Sequence, residues 1–151
     1  MTASRPDIIV FDVNETLLSL ASLQPGFAEV FGTADLMGEW FARMLHGSVV
    51  SNEVGDYREF GTIGVEALLM LARKHGLEVS QDRAEGVVAG MRRLEPHPDV
   101  IGAIEALRSA GFRTATLTNG STEAAAAQLD HAGLMPLLDE WMTVDEVRKF
   151  K

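Results

Sequence analysis

The chain has 151 residues, of which 46% are hydrophobic and 23% charged, and this composition is that of one globular domain and excludes a disordered or fibrous chain. The net charge of −9 argues against nucleic acid or an anionic membrane surface as a partner and favours a small-molecule ligand. The sequence has no cysteine, which excludes disulfide bonds and thiolate catalysis, and no apolar run long enough to span a bilayer, so we expect a cytoplasmic protein.

An apolar, β-branched run near the amino terminus, Ile8–Phe11, ends on the carboxylate of Asp12. The run is too short for a helix and predicts a buried parallel strand with Asp12 at its carboxyl end. Open α/β sheets bind ligands at that end of their strands, where an acid can serve as a nucleophile or a metal ligand. On these residues alone, capping of the following turn is an equally good role for Asp12.

Helical periodicity runs from Gln24 to about Leu94 and interrupts the alternation of strands and helices. Within this block we expect one helix to end at Gly76 and another to cover 81–94. Two prolines in the segment 95–99 then fix the backbone direction, and we interpret this segment as a hinge out of the helical block.

The second half of the chain alternates helices and strands. We predict a helix over 100–110, a strand over 112–118, a helix over 122–132 and a strand over 137–144. With right-handed crossovers, these elements and the first strand give an α/β fold. It has a three-stranded parallel sheet, helices on both faces and a helical insertion after the first strand.

Polar and charged residues follow the second and third predicted strands. Thr118, Asn119 and Ser121 bring hydroxyl and amide groups to the start of a helix, where they would hold an anion beside Asp12 if the strands are neighbours. Capping of that helix is the alternative role for the hydroxyls. Lys151 follows the third strand and brings a cation to the same edge of the sheet.

Three segments together resemble, in order and spacing, the first three motifs of the haloacid dehalogenase (HAD) superfamily. They are Phe-Asp-Val-Asn-Glu-Thr-Leu at 11–17, Leu-Thr-Asn-Gly-Ser at 117–121, and 144–151, which ends in Phe-Lys. The position and size of the helical block are most similar to those of the type II, or L-, 2-haloacid dehalogenases. This resemblance implies a Rossmann-like core of residues 1–18 and 97–151 and a helical cap of residues 19–96.

The resemblance also implies a role for each matching residue. Asp12 would be the nucleophile that forms an ester with a small anionic 2-haloacid, and Thr16 would orient it. Thr118 and Asn119 would bind the substrate carboxylate or the halide, and Lys151 would stabilise the charge on Asp12. This chemistry requires no metal or other cofactor, and the four histidines show no metal-ligand spacing.

The chain departs from the family pattern in the first motif and in the cap. The dehalogenases carry Tyr and Gly where this chain has Asn14 and Glu15, and we count Asn14 among the substrate-binding residues. Phe41 stands where the cap of the dehalogenases supplies an arginine, so Arg43 is our candidate for that charge, with Arg58 as a second. Phe60, like Trp40, would either line an apolar pocket for the substrate or belong to the core.

The fourth motif of the superfamily has no counterpart in the sequence, so we expect the C-terminal strands 4 and 5 to be missing. The first strand would then be an open edge that a homodimer could cover. Three hypotheses follow: a haloacid dehalogenase, a magnesium-dependent phosphatase of the same superfamily, and a non-catalytic truncated fragment or interaction domain. Asn14 argues against the phosphatase, because an amide cannot replace the second Asp that serves there as the general acid.

Overall fold

Three parallel strands form the sheet that carries the candidate site. In the computed structural model, which describes residues 6–151, they are β1 (Ile8–Phe11), β4 (Arg113–Thr118) and β5 (Glu140–Thr143), in the order β1–β4–β5. Both pairings are parallel, so the carboxyl ends of all three strands lie at one edge of the sheet. The predicted α/β class and the three-stranded parallel sheet are confirmed.

The prediction that β1 is buried is wrong. Within residues 6–151, β1 pairs only with β4, and Val10 has 48% of its surface exposed. An apolar sequence indicates burial only where both faces of a strand are covered, and an edge strand lacks part of that cover. Among residues 6–151, no strand pairs with the other side of β1, as expected.

The described residues also form six α-helices. They are α1 (Gln24–Phe31), α2 (Met37–Val54), α3 (Phe60–Lys74), α4 (Gln81–Ala89), α5 (Val100–Ser109) and α6 (Thr122–His131). The predicted helix over 81–94 is shorter than expected, because its last turn, Gly90–Arg93, is a 3₁₀ helix. The strand predicted over 137–144 begins only at Glu140, since Pro136 lies in a 3₁₀ turn over Met135–Leu137.

A two-stranded antiparallel ribbon joins the helical block to the sheet. Its strands are β2 (Leu18–Ser19) and β3 (Glu95–Pro96). They pair where the chain enters the helical block and where it leaves it, so the two ends of the block lie side by side. Sequence analysis interpreted 95–99 only as a hinge, because two-residue strands have no periodicity to detect. The ribbon lies at the boundaries proposed between the core, residues 1–18 and 97–151, and the cap, residues 19–96.

Helices α2 and α3 of the cap pack closely through a glycine and a tryptophan. A Cβ added at Gly47 would lie 2.7 Å from Cγ2 of Ile63, so only glycine permits this approach. The fully buried Trp40 donates its Nε1–H to the carbonyl of Gly64 at 2.8 Å. Trp40 is therefore part of the hydrophobic interior of the cap. Among the described helices, none is long and apolar enough to cross a membrane.

Candidate active site

The loop after β1 presents Asp12 at the predicted edge of the sheet. The loop is a tight turn in which the amides of Leu17 and Leu18 both donate to the carbonyl of Val13, at 2.9 and 3.0 Å. Glu15 has a φ of 59°, a left-handed conformation that favours glycine. This explains why the dehalogenase pattern has Gly here. In this chain the Glu15 carboxylate accepts a hydrogen bond from the Leu20 amide at 2.6 Å, which offsets part of the strain.

Asp12 and Lys151 form the centre of the site. Nζ of Lys151 donates to Oδ1 of Asp12 at 2.6 Å, and the amide of Val13 donates to the same oxygen at 2.7 Å. Within residues 6–151, Oδ2 accepts no hydrogen bond, and 47% of the Asp12 side chain is exposed. One carboxylate oxygen is thus fixed, and the other is accessible to a ligand.

Asn119 lies beside this pair, as the sequence predicted. Its Oδ1 accepts a hydrogen bond from the backbone amide of Lys151 at 3.0 Å. Because that partner is a donor, the orientation of the Asn119 side chain is determined and its Nδ2 faces away from Lys151. Nδ2 makes no hydrogen bond within residues 6–151 and is a donor available to an anion.

The hydroxyls near Asn119 serve mainly the local backbone. Oγ1 of the buried Thr118 accepts from the amide of Gly120 at 3.2 Å, and Oγ of Ser121 caps α6 by accepting from the Ala124 amide at 3.3 Å. The capping role that the sequence left open is therefore the observed one for Ser121. The Thr118 hydroxyl still has its own proton to donate, so its role in substrate binding stays a prediction.

Sequence reasoning missed an acid–phenol pair that supports the loop of Lys151. Asp145 accepts hydrogen bonds from the Tyr57 hydroxyl at 2.9 Å and from the Thr122 amide at 2.5 Å. Burial, together with the hydrogen bond to Asp145, raises the pKa of Tyr57 to about 12. Burial opposes ionisation of Asp145, but its two hydrogen bonds outweigh that effect and lower its pKa. The pair links the cap to the segment 144–151 and to α6.

A cavity of about 470 Å³ lies between the cap and the core, and Asp12, Asn119 and Lys151 are not among the residues that line it. Asn14 and Gly120, which lie in the loops after β1 and β4, form part of its wall, and the buried Phe60 forms another part. The side chain of Asn14 accepts a hydrogen bond from Gln128 at 3.1 Å. Phe60 thus belongs to the hydrophobic interior and also lines this cavity, and its role in substrate binding stays a prediction.

Two predicted site residues are not brought to Asp12. Thr16 is exposed, and its side chain makes no hydrogen bond within the described part of the chain. Arg43 donates to Glu39 at 2.7 Å and does not line the cavity. Hydrogen bonds from Lys74 and Arg43 lower the pKa of Glu39 to about 2, so this acid remains a partner for Arg43 at neutral pH. The catalytic role of Thr16 and the substrate-binding role of Arg43 stay predictions.

Few oxygen ligands surround Asp12. Among residues 6–151, no group of three His, Cys, Asp or Glu side chains lies close enough to hold a metal ion. Asp145 already accepts hydrogen bonds on both of its oxygens, and the oxygen of the Asn14 amide accepts from Gln128.

Comparisons with known proteins agree on one family. A family model described as haloacid dehalogenase-like hydrolase matches residues 6–151. The (S)-2-haloacid dehalogenase 1 of Pseudomonas sp. (strain CBS-3) is 31% identical over 94% of this chain and 63% of its own length. The L-2-haloacid dehalogenase structure from Xanthobacter autotrophicus matches with a TM-score of 0.88 at 27% identity, over 96% of this chain and 59% of that one.

A second structure of the Xanthobacter autotrophicus enzyme holds covalently bound chloropropionic acid. It matches this chain with a TM-score of 0.88 at 26% identity. The chain spans about three-fifths of the length of these relatives.

Proposed function

Because the chain belongs to the haloacid dehalogenase-like hydrolases, we propose that the protein containing it hydrolyses the carbon–halogen bond of short 2-haloacids through an ester on Asp12. The observation that carries this proposal is the asymmetry of the Asp12 carboxylate. Lys151 and the Val13 amide hold Oδ1, while Oδ2 is free to attack. A nucleophile held in one orientation loses little freedom on reaching the transition state.

The reaction would proceed in two steps on the same carboxylate. Oδ2 of Asp12 attacks C2 of the substrate, and a carbon–oxygen bond forms as the halide leaves with the electrons of the carbon–halogen bond. Water then attacks Cγ of the ester and breaks its bond to Oδ2. The products are a 2-hydroxy acid, whose hydroxyl oxygen comes from Asp12, a halide ion and a proton.

Two groups near Asp12 can stabilise the charges in these steps. The Lys151 ammonium lies 2.6 Å from Oδ1 and reduces the repulsion between the Asp12 carboxylate and an anionic substrate. The unpaired Nδ2 of Asn119 can donate to the substrate carboxylate or to the departing halide. The side chain of the substrate would enter the cavity lined by Phe60, which suits a short alkyl group.

The relatives support the same chemistry. The Xanthobacter autotrophicus enzyme has been captured with chloropropionic acid covalently bound, and the Pseudomonas relative acts on (S)-2-haloacids. We propose the same preference for the (S) enantiomer here. No contact in the described structure favours the phosphatase or the non-catalytic hypothesis.

Halide release from (S)- and (R)-2-chloropropionate by the natural protein tests the proposal. We expect release from the (S) enantiomer, and we expect Asp12→Asn to abolish it because an amide oxygen is a poor nucleophile. Asp130→Asn is the matched control, because Asp130 is an exposed residue of α6 and its carboxylate forms no hydrogen bond or ion pair within residues 6–151. Turnover of p-nitrophenyl phosphate that depends on added magnesium, without halide release, would support the phosphatase instead.

A single turnover in water labelled with heavy oxygen tests the ester directly. With enzyme in excess, the first product should contain unlabelled oxygen, because its hydroxyl comes from Asp12. Heavy oxygen in that first product would show direct attack by water and would refute the ester mechanism.

A further inference from the structure

The side chain of Asn52, in the cap, forms hydrogen bonds with the backbone next to Lys151. Asn52 lies in the last turn of α2 and is 98 residues away from Phe150 in sequence. Its Nδ2 donates to the carbonyl of Phe150 at 2.9 Å, and its Oδ1 accepts from the Phe150 amide at 2.9 Å. One side chain thus satisfies both backbone polar groups of a residue outside any helix or strand.

These bonds fix the peptide unit that leads into Lys151. The carbonyl of this unit belongs to Phe150 and accepts from Asn52, and its N–H belongs to Lys151 and donates to Asn119 at 3.0 Å. The cap therefore holds one side of the peptide plane and the core holds the other. The Lys151 side chain starts from this plane and reaches Asp12, 2.6 Å from Oδ1.

We propose that Asn52 is a positioning residue for the dehalogenation, which holds the Phe150–Lys151 peptide so that the Lys151 ammonium stays against Asp12. This inference rests on the proposed function, in which Lys151 stabilises the charge of Asp12. Asn52 does not contact the reacting atoms and acts only through Lys151.

The ring of Phe150 makes packing contacts, whereas its backbone makes the hydrogen bonds to Asn52. Phe150 is 4% exposed, and its ring packs against Tyr57 and Phe60 with centroid distances of 5.1 and 6.0 Å. These contacts anchor the segment but do not determine the rotation of the following peptide, because an apolar ring contact has no direction. Loss of Asn52 should therefore leave the segment in place while the Lys151 side chain loses its fixed origin.

The test compares Asn52→Ala and Asn52→Asp with a matched control, Glu53→Ala, in the natural protein. Glu53 is the exposed neighbour of Asn52 on α2, and its side chain forms no hydrogen bond or ion pair within residues 6–151. We expect Asn52→Ala to lower kcat for 2-chloropropionate on the order of 100-fold, the cost of a misplacement of about 1 Å, with little change in KM. Asn52→Asp keeps the acceptor but loses the donor, so it should fall between wild type and Asn52→Ala.

A double-mutant cycle separates positioning from a merely structural role. If Asn52 acts through Lys151, then adding Asn52→Ala to Lys151→Met should cause no further loss of kcat. An equal loss in both backgrounds would overturn the proposal. So would a fall in melting temperature without a fall in kcat.

A second readout does not depend on turnover. Acetylation of lysine amines, followed by peptide mass spectrometry, compares Lys151 with the exposed Lys149 in the same sample. Asn52→Ala should increase the relative reactivity of Lys151 severalfold, and unchanged reactivity would contradict the proposal. If the labelling changes but wild type releases no halide, the proposed function fails while the positioning by Asn52 stands.

Discussion

When Glu15 is replaced by glycine or by alanine, we expect the glycine variant to be the more stable, the reverse of the order in an ordinary helix. Both variants lose the hydrogen bond from the Leu20 amide, so this loss cancels when the two are compared. Alanine keeps the strain of a φ of 59°, about 1–2 kcal/mol for a residue with a Cβ, and glycine relieves it. Glycine also makes the unfolded chain more flexible, which costs about 0.4–1 kcal/mol.

The balance favours Glu15→Gly over Glu15→Ala by about 1 kcal/mol in the free energy of unfolding. Urea titration of both variants, followed by circular dichroism, measures this difference. Glu105 is exposed on α5 and gives the control, because in an ordinary helix alanine should exceed glycine by about 0.8–1.0 kcal/mol. If Glu15→Ala is as stable as Glu15→Gly, the loop after β1 is not strained and the argument is wrong.

Three further predictions concern stability. The free energy of unfolding should fall as pH rises from 10 to about 12, because the tyrosine ionises at lower pH in the unfolded chain than in the folded one. Urea titrations at alkaline pH measure this fall, and Tyr57→Phe should remove it. Gly47→Ala should lower the free energy of unfolding by about 1 kcal/mol in urea titration, because the β-branched Ile63 cannot move away from the added Cβ. Gly86→Ala in α4, where an added Cβ has no neighbour within 4 Å, should raise it by up to about 1 kcal/mol. Trp40→Phe should lower stability by about 2–3 kcal/mol in thermal unfolding, through the lost Nε1–H bond and the smaller ring. A Trp40→Phe variant as stable as wild type would contradict the packing described for α2 and α3.

The centre of the site could be predicted because it follows a local rule. Asp12, Asn119 and Lys151 each follow a strand, and parallel strands bring their carboxyl ends to one edge wherever the cap lies. The family resemblance drawn from these three segments is confirmed by the match over residues 6–151. The roles assigned to the three side chains stay predictions that the mutants above can test.

The supporting contacts could not be predicted in the same way. Tyr57 and Asn52 lie 88 and 98 residues from Asp145 and Phe150, and nothing in their local sequence indicates these partners. Such contacts depend on how the cap docks on the core, which periodicity does not describe. Arg43, the candidate for the charge that the dehalogenase cap supplies, has Glu39 as its partner, and its role in substrate binding stays a prediction.

The ribbon of β2 and β3 would allow a different cap to be inserted during evolution, but the contacts between the cap and the core limit which caps would serve. Ser19 pairs with Glu95, so the two ends of the 75 or so intervening residues meet like the ends of a short hairpin. A different insertion could be grafted between these ends with little effect on how the sheet folds. Any graft lacking the contacts of Asn52 and Tyr57 would, however, leave the Lys151 segment without its outer support. Exchange of caps among relatives would then preserve folding more readily than turnover, and a new cap would have to provide its own support for the lysine.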